Sequence, residues 1–290
     1  EAYDRASNDY YEDHPVPQGF SREDLVLTDE TLNRAVTRTL TEMFQLGMFE
    51  NPYRDPQKAA KVILDPSHWE KAMDAHRKSV VLLKNDGVLP LTAEKLRNKR
   101  VYAECFAKDA ETAKASTESL RNELKNQVDL TETCENADYA ILLLSPSSGQ
   151  YFSATPGYLE LDLCDGKVTA DVDSQGRPAA ATHRETTLYN VKRIASIAQA
   201  LYSRGGKVIA NINVTLAWEV GNAEPYRDGF TAGFHTDVSA VLDVIFGRFS
   251  PVGKMPITLP RGDEVLKVDE NGVCISPNDV PGYDKDKYMP

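Results

Sequence analysis

The sequence predicts an α/β fold: a mainly parallel sheet flanked by helices (an α/β sandwich), preceded by an extended arm and one separate helix. Between residues 99 and 247, short apolar runs alternate with amphipathic stretches of helical period. That alternation builds parallel sheets covered on both faces. The runs 139–144 (YAILLL) and 207–214 (KVIANINV) are almost continuously apolar, as strands buried on both sides must be. No phosphate loop or dinucleotide fingerprint accompanies the pattern, which argues against a nucleotide-binding version of the fold.

Residues 1–27 are polar, acidic and rich in tyrosine, with Pro15 and Pro17, and read as an extended arm. Tyr3, Tyr10 and Tyr11 suit anchoring that arm on a neighbouring domain better than stacking on a sugar. A helix follows in TDETLNRAVTRTLTEMFQLGMF, where Leu32, Val36, Leu40 and Met43 recur at helical spacing. Thr28 or Asp29 caps its start, acidic residues fill its first turn, and Gly47 supplies a left-handed stop. One helix cannot bury that stripe alone, so a covering partner is expected. Residues 51–67, with three prolines, read as a linker closing a segment 28–66. A second helix runs from about Trp69 to Leu82, and its apolar continuation meets the turn Asn85-Asp86-Gly87.

The sandwich itself is expected over 67–261. KRVYAECF reads as a strand, 109–126 as an amphipathic helix, 186–205 as a helix ending at Gly205-Gly206, and 236–247 as a helix ending in Gly247. Substrate sites in such sheets lie beyond the carboxyl ends of the strands. Two long connections leave from such ends, at 145 and at 213. The first, about 145–185, spans about 40 residues where a few would suffice. Within it DGKVTADVDSQGRPAA reads as a hairpin with turns at Asp165-Gly166 and Gln175-Gly176. Residues 262–290 are polar and turn-rich, a tail directed toward a further domain.

A net charge of −11 argues against nucleic acid as partner. No apolar run approaches the ~20 residues that cross a bilayer. Cys105, Cys134, Cys164 and Cys274 are widely spaced without a CxxC pair, which disfavours a zinc cluster and suits free buried thiols. They leave the compartment open, leaning to the cytoplasm. The first residue is Glu rather than Met, so the chain reads as part of a longer one. There is no Gly-x-Ser-x-Gly elbow of a serine hydrolase.

Three segments resemble glycoside hydrolase family 3, in the family's order, across residues 28–261, about four fifths of the chain. TLNRAVTRTLTEMFQLGMFENP resembles the last helix of its barrel domain. HRKSVVLLKNDGVLPL resembles the opening of its second domain, and AGFHTDVSAVLDVIFGRFSPVGKMPITLPR the closing segment of that domain. The resemblance implies an N-terminal (β/α)8-type barrel, carrying a nucleophilic aspartate, joined to this sandwich with the active site at their interface. It makes the separate helix barrel-derived and the chain at most half an active site, with the barrel as domain or chain partner. It also implies a β-glucosidase-like hydrolase of β-linked carbohydrate, and no cofactor.

The resemblance implies an acid/base that in many family members is the Glu of a Ser-Gly-Glu-aromatic-like motif after the strand 138–144, matched here by Ser148-Gly149-Gln150-Tyr151, and in other members a Glu in a pre-helical motif comparable to that of Glu185. An amide at Gln150 keeps the shape of Glu but neither gives nor takes a proton as an acid or base. Three readings stand: an engineered Glu→Gln change, a natural amide with another carboxylate acting, or a shifted alignment or non-catalytic protein. If another residue acts, Glu160 and Glu185 are the candidates. Against this, alternating Leu159, Leu161 and Leu163 suggest that Glu160 faces solvent from a short strand, and Thr182 with Glu185 spells a capping box opening the next helix. Asp162 and His183 are weaker candidates. Tyr151, Phe152 and Tyr158 read as lid aromatics that stack on a sugar or aglycone; the rival reading of the insertion is a contact between copies in a homo-oligomer. Arg77, Lys84 and Asn85 are expected to organise the domain, Trp218 to fill the core, and the sequon at Asn213 to be fortuitous. A non-catalytic carbohydrate-binding or interaction module that lost its acid remains the alternative function.

Overall fold

The computed structural model describes residues 28–148, 160–172, 178–262, 281–283 and 288–289, together with Gly19 and Ser21. The chain divides into two units, residues 1–68 and 69–290. In the first, helix α1 (Asp29–Gln45) starts as expected: the Thr28 hydroxyl accepts from the Thr31 amide at 3.2 Å, with Asp29 and Glu30 in the first turn. Gly47, at φ 63°, ends it, and the Met48 amide reaches back to the Met43 carbonyl at 3.1 Å. Leu32, Val36, Leu40 and Phe44 lie exposed along one side. The stretch read as a linker holds a further helix, α2 (Pro56–Ile63). Its proline sits in the first turn, where no amide is needed, and Asp55 caps it through Gln57 N at 2.9 Å. Helix α3 (Pro66–Ser79) follows.

The second unit is built on a six-stranded sheet of β1 (Val81–Asn85), β2 (Arg100–Ala107), β3 (Asp129–Leu130), β4 (Tyr139–Ser145), β7 (Lys207–Asn213) and β8 (Gly229–Gly233). The order is β1-β8-β7-β4-β2-β3. Only β1, at one edge, runs antiparallel, with Val81 opposite Ala232; Ile141 in β4 lies opposite Ala103 on one side and Ile209 on the other. This is the mainly parallel sandwich the sequence predicts. Side chains alternate between two cores. One face of the sheet (Tyr102, Phe106, Leu142, Leu144, Ala210, Ile212) packs under α5 (Lys192–Tyr202) through Ile194, Ile197, Ala198 and Leu201. The other (Ala103, Cys105, Ile141, Leu143, Ile209) packs under α4 (Ala110–Leu124) and α6 (Val238–Ile245) through Leu120, Leu124, Val241, Leu242 and Ile245. Trp218 is fully buried in the first core, as expected.

The expected organising residues do that work. Arg77 Nε binds Asp243 at 2.6 Å, tying α3 to α6. Lys84 reaches Glu224 at 3.0 Å; burial works against its charge, but Glu224 and Asp86 outweigh that and hold its pKa above the usual lysine value. Asn85 exchanges hydrogen bonds with Leu89 at 2.9 and 3.1 Å, bracketing Gly87, which sits at φ 78°. Asn213 at the end of β7 uses its side-chain oxygen to accept from His235 N at 2.8 Å.

Beyond the sheet, β9 (Leu259–Pro260), β10 (Gly282–Tyr283) and β11 (Tyr288–Met289) form a small antiparallel sheet. Within the stretch read as a tail, Tyr283 is 2% exposed, packs against Phe230 with ring centroids 5.8 Å apart, and hydrogen-bonds Glu224 through its hydroxyl at 3.1 Å. Tyr283→Ala is therefore expected to cost about 3–5 kcal/mol in urea unfolding, and Tyr283→Phe about 1 kcal/mol. Equal and small effects of the two would show that this stretch is not part of the core.

Candidate active site

The strands β2 and β4 end side by side, at Ala107 and Ser145, and the long insertion is rooted there. It contains a hairpin of β5 (Lys167–Val172) and β6 (Pro178–Glu185), paired from Lys167 opposite Glu185 to Val172 opposite Pro178. Asp165-Gly166 makes the turn into β5, Gly166 at φ 68°, as the sequence suggested. The root is a compact set of hydrogen bonds centred on Thr187, which is fully buried. Its hydroxyl accepts from Cys164 N at 3.0 Å and donates to Asp162 O at 2.6 Å, while the amides of Thr187 and Leu188 both donate to Cys164 O at 3.1 Å. The Thr187 carbonyl accepts from Ser147 N at 3.0 Å, and Tyr189 N donates to Ala107 O at 2.8 Å, stitching the root to the ends of β4 and β2. Asp165 accepts from Thr186 Oγ1 at 3.2 Å and from Asn190 N at 2.9 Å.

Two glutamates are drawn into this root. Glu160 is 4% exposed: its Oε1 accepts from Asp162 N at 3.0 Å and its Oε2 lies 3.0 Å from Lys167 Nζ. The reading of Glu160 as a solvent-facing strand residue is thus corrected, because the lysine that opens the hairpin and the Leu161–Glu219 backbone bond of 2.9 Å turn it inward. Asp162 is held by Lys167 at 3.5 Å and Asn222 at 2.6 Å. Glu185 is 2% exposed, with Lys108 Nζ 3.6 Å from its Oε1. The capping-box reading is corrected as well: Thr182 and Glu185 both lie in β6, and α5 begins only at Lys192, after Val191. Pairing with β5 overrides the Thr-x-x-Glu signal. His183 lies in the same strand.

Gln150, Tyr151, Phe152 and Tyr158 lie outside the described residues. The root brackets their segment on both sides, through Ser147 before it and Glu160 and Asp162 after it. Cys164 lies in the root, and burial raises its thiol pKa, so it stays protonated at neutral pH. Cys105, Cys134 and Cys164 are free and buried. Among the described residues, no group of three or more His, Cys, Asp or Glu is placed to hold a metal ion, and no helix is long and apolar enough to cross a membrane.

Sequence reasoning missed Lys108 and Lys167. The usable signal was electrostatic: a carboxylate placed at a strand end or in an apolar alternation needs a cation once buried. Lys108 directly follows β2, and Lys167 directly follows the Asp165-Gly166 turn. Lys167→Met, which leaves Glu160 buried without that cation, should destabilise the unit by about 1–3 kcal/mol. Adding Glu160→Gln should recover part of that loss in a double-mutant cycle read by urea unfolding; a fully additive double variant would show that the two side chains do not act on one another.

No family model matches the chain. A probable β-glucosidase C from Aspergillus flavus is 25% identical over 248 residues, covering 85% of this chain and 33% of the relative. A putative β-xylosidase from Formosa agariphila is 25% identical over 269 residues, covering 80% of this chain and 32% of its own length. A β-N-acetylglucosaminidase/β-glucosidase from Cellulomonas fimi is 39% identical over 80 residues, 27% of this chain and 14% of that protein. Among solved structures, a β-glucosidase from Erythrobacter marinus superposes with a TM-score of 0.54 at 17% identity, over 82% of this chain and 36% of that one. A β-glucosidase from Listeria innocua in complex with isofagomine gives 0.50 at 18% identity, over 81% and 33%. The chain spans about a third of the length of the curated relatives it matches. These likenesses bear out the resemblance read from the sequence, to the C-terminal sandwich part of family 3 β-glucosidases.

Proposed function

We propose that the chain is the sandwich part of a glycoside hydrolase that cleaves β-linked sugars by a retaining, two-carboxylate mechanism. The observation that carries this is the rooted insertion: the loop bearing Gln150 leaves the carboxyl end of β4 and is anchored at both ends by the Thr187 hydrogen bonds and the Glu160–Lys167 pair. Proteins similar to the chain over most of its length are named β-glucosidases and β-xylosidases, which supports the reaction class.

In this reading the nucleophile is an aspartate on a barrel part that the chain does not include, and the substrate is a carbohydrate or glycoside held where the two parts meet. The exposed apolar stripe of α1, Leu32 to Phe44, supports such a covering partner. Gln150 occupies the acid/base position. A retaining reaction sets its two carboxyl groups about 5–5.5 Å apart, the second first protonating the leaving oxygen and then deprotonating water. The glutamine can hydrogen-bond the glycosidic oxygen but cannot protonate it, so departure depends on the leaving group's own acidity. Glu160 and Glu185, 4% and 2% exposed and each beside a lysine, act on the position of this loop rather than on the substrate.

The burial of both glutamates also favours a second reading, a non-catalytic carbohydrate-binding or interaction module, because neither of these two candidate acids is presented to a ligand. Turnover of an alkyl and a p-nitrophenyl β-glycoside, measured on the chain joined to its barrel partner, separates the two. Gln150→Glu should raise turnover of the alkyl glycoside by about 10²–10⁴-fold and that of the activated one far less. No turnover of either substrate, with Gln150 or with Glu, would overturn the hydrolase reading. Good turnover of both with Gln150, unimproved by the change, would place the acid at another residue.

A further inference from the structure

The connection between β7 and β8, residues 214–228, holds two distant stretches of the chain at once. Trp218, Val220 and Ala223 fix it from the core side, each fully buried in the first core. One set of bonds reaches the segment that returns from the Gln150 loop. Glu219 N donates to Leu161 O at 2.9 Å, Glu219 and Asp162 form an isolated parallel bridge, and Asn222 Nδ2 donates to Asp162 Oδ1 at 2.6 Å.

A second set reaches the tail. Val220 N donates to Pro260 O and Gly221 N to Arg261 O, both at 2.9 Å, and Arg261 N donates to Pro281 O at 2.7 Å. Glu224 Oε1 accepts from Tyr283 Oη at 3.1 Å and from Lys84 Nζ at 3.0 Å. The approach is close enough to dictate residue type: a Cβ on Gly221 would stand 2.3 Å from Arg261 O. Glu219 and Val220 are neighbours, yet their amides serve the loop's return and the tail respectively. Only the φ and ψ of Glu219 separate those two donors, so a shift at one set of bonds strains the other. The tail's own sheet is made of two-residue strands, which leaves Tyr283 and these bonds to keep it docked.

We propose that Tyr283 and Glu224 are positioning residues for the Gln150 loop. Docking of the tail fixes residues 219–222, and these fix Leu161 and Asp162, where the loop re-enters the sandwich. The coupling rests on the bonds alone; its bearing on turnover rests on the glycosidase reading.

The test is amide hydrogen exchange of the chain, read residue by residue by NMR at Cys164, Thr187 and Leu188 in the root. Tyr283→Phe keeps the ring and removes the bond to Glu224, and should speed exchange there about fivefold. Ile245→Val, a loss of similar size in the second core, should leave the root's local opening unchanged. Asn222→Ala cuts the bond to Asp162 from an exposed side chain and should also speed exchange. Combined with Tyr283→Phe, its gain should fall short of the product of the two. The proposal falls if Tyr283→Phe leaves these amides unchanged, if Ile245→Val moves them as much, or if the two changes multiply as independent ones. In the barrel-joined protein, Tyr283→Phe should lower kcat for the alkyl β-glycoside and leave KM nearly unchanged. Root amides that move while kcat holds keep the coupling but end its bearing on catalysis; a parent without turnover sinks only the hydrolase reading.

Discussion

Strand β4 has no solvent side. It lies between β2 and β7 in the plane of the sheet, and its residues alternate into two separate cores above and below. Every other part of the second unit answers to that constraint. A parallel strand in this position must be covered on both faces, so the chain has to cross over with helices, and α4, α5 and α6 supply them. The same constraint leaves only the ends of the strands for polar work. At the carboxyl ends the chain is free of the ladder, and there the insertion departs.

What the root does with that freedom is electrostatic as much as topological. Thr187 satisfies four backbone groups on three residues, Ser147, Asp162 and Cys164, which lets the crossing of two chain segments be buried with those groups paired. Glu160 and Glu185 are then carried below the surface, and a lysine from another segment accompanies each. Lys108 ties β6 to the end of β2, and Lys167 ties β5 to the segment that returns from the Gln150 loop. Pairs of this kind add little net stability when fully buried, because desolvation consumes the Coulomb gain. Their effect is selectivity: a displaced hairpin would leave a buried charge uncompensated.

The sheet and its helices were legible because two-sided burial writes continuous apolar runs and helical stripes into the chain, and both depend on neighbours close in sequence. Helix α2 was hidden by the three prolines of the stretch 51–67, since proline signals a break anywhere except the first helical turn, where Pro56 sits. Glu160 and Glu185 were misread for another reason. Leu159-Glu160-Leu161 fits a half-exposed strand and Thr182 to Glu185 fits a helix start, and nothing local distinguishes those from what they are. Their surroundings are set by Lys167, Glu219 and Lys108, which only the register of β5 on β6 and the end of β2 bring close. Tyr283 was missed likewise, since a polar, turn-rich sequence conceals a single aromatic that reaches the core.

Cys164 and Thr187 lie 23 positions apart, yet they bond to each other through backbone and side chain. The chain thus leaves the sandwich and re-enters it through the same doorway, and the hairpin beyond contributes nothing to the sheet's ladder. Such a closed excursion behaves as a cassette. Its length and sequence can drift, be shortened or be exchanged between related proteins at little entropic cost, provided the threshold residues stay. Diversity among proteins on this scaffold would accordingly gather beyond the doorway, while Thr187 and the two lysines mark where the graft must be sewn.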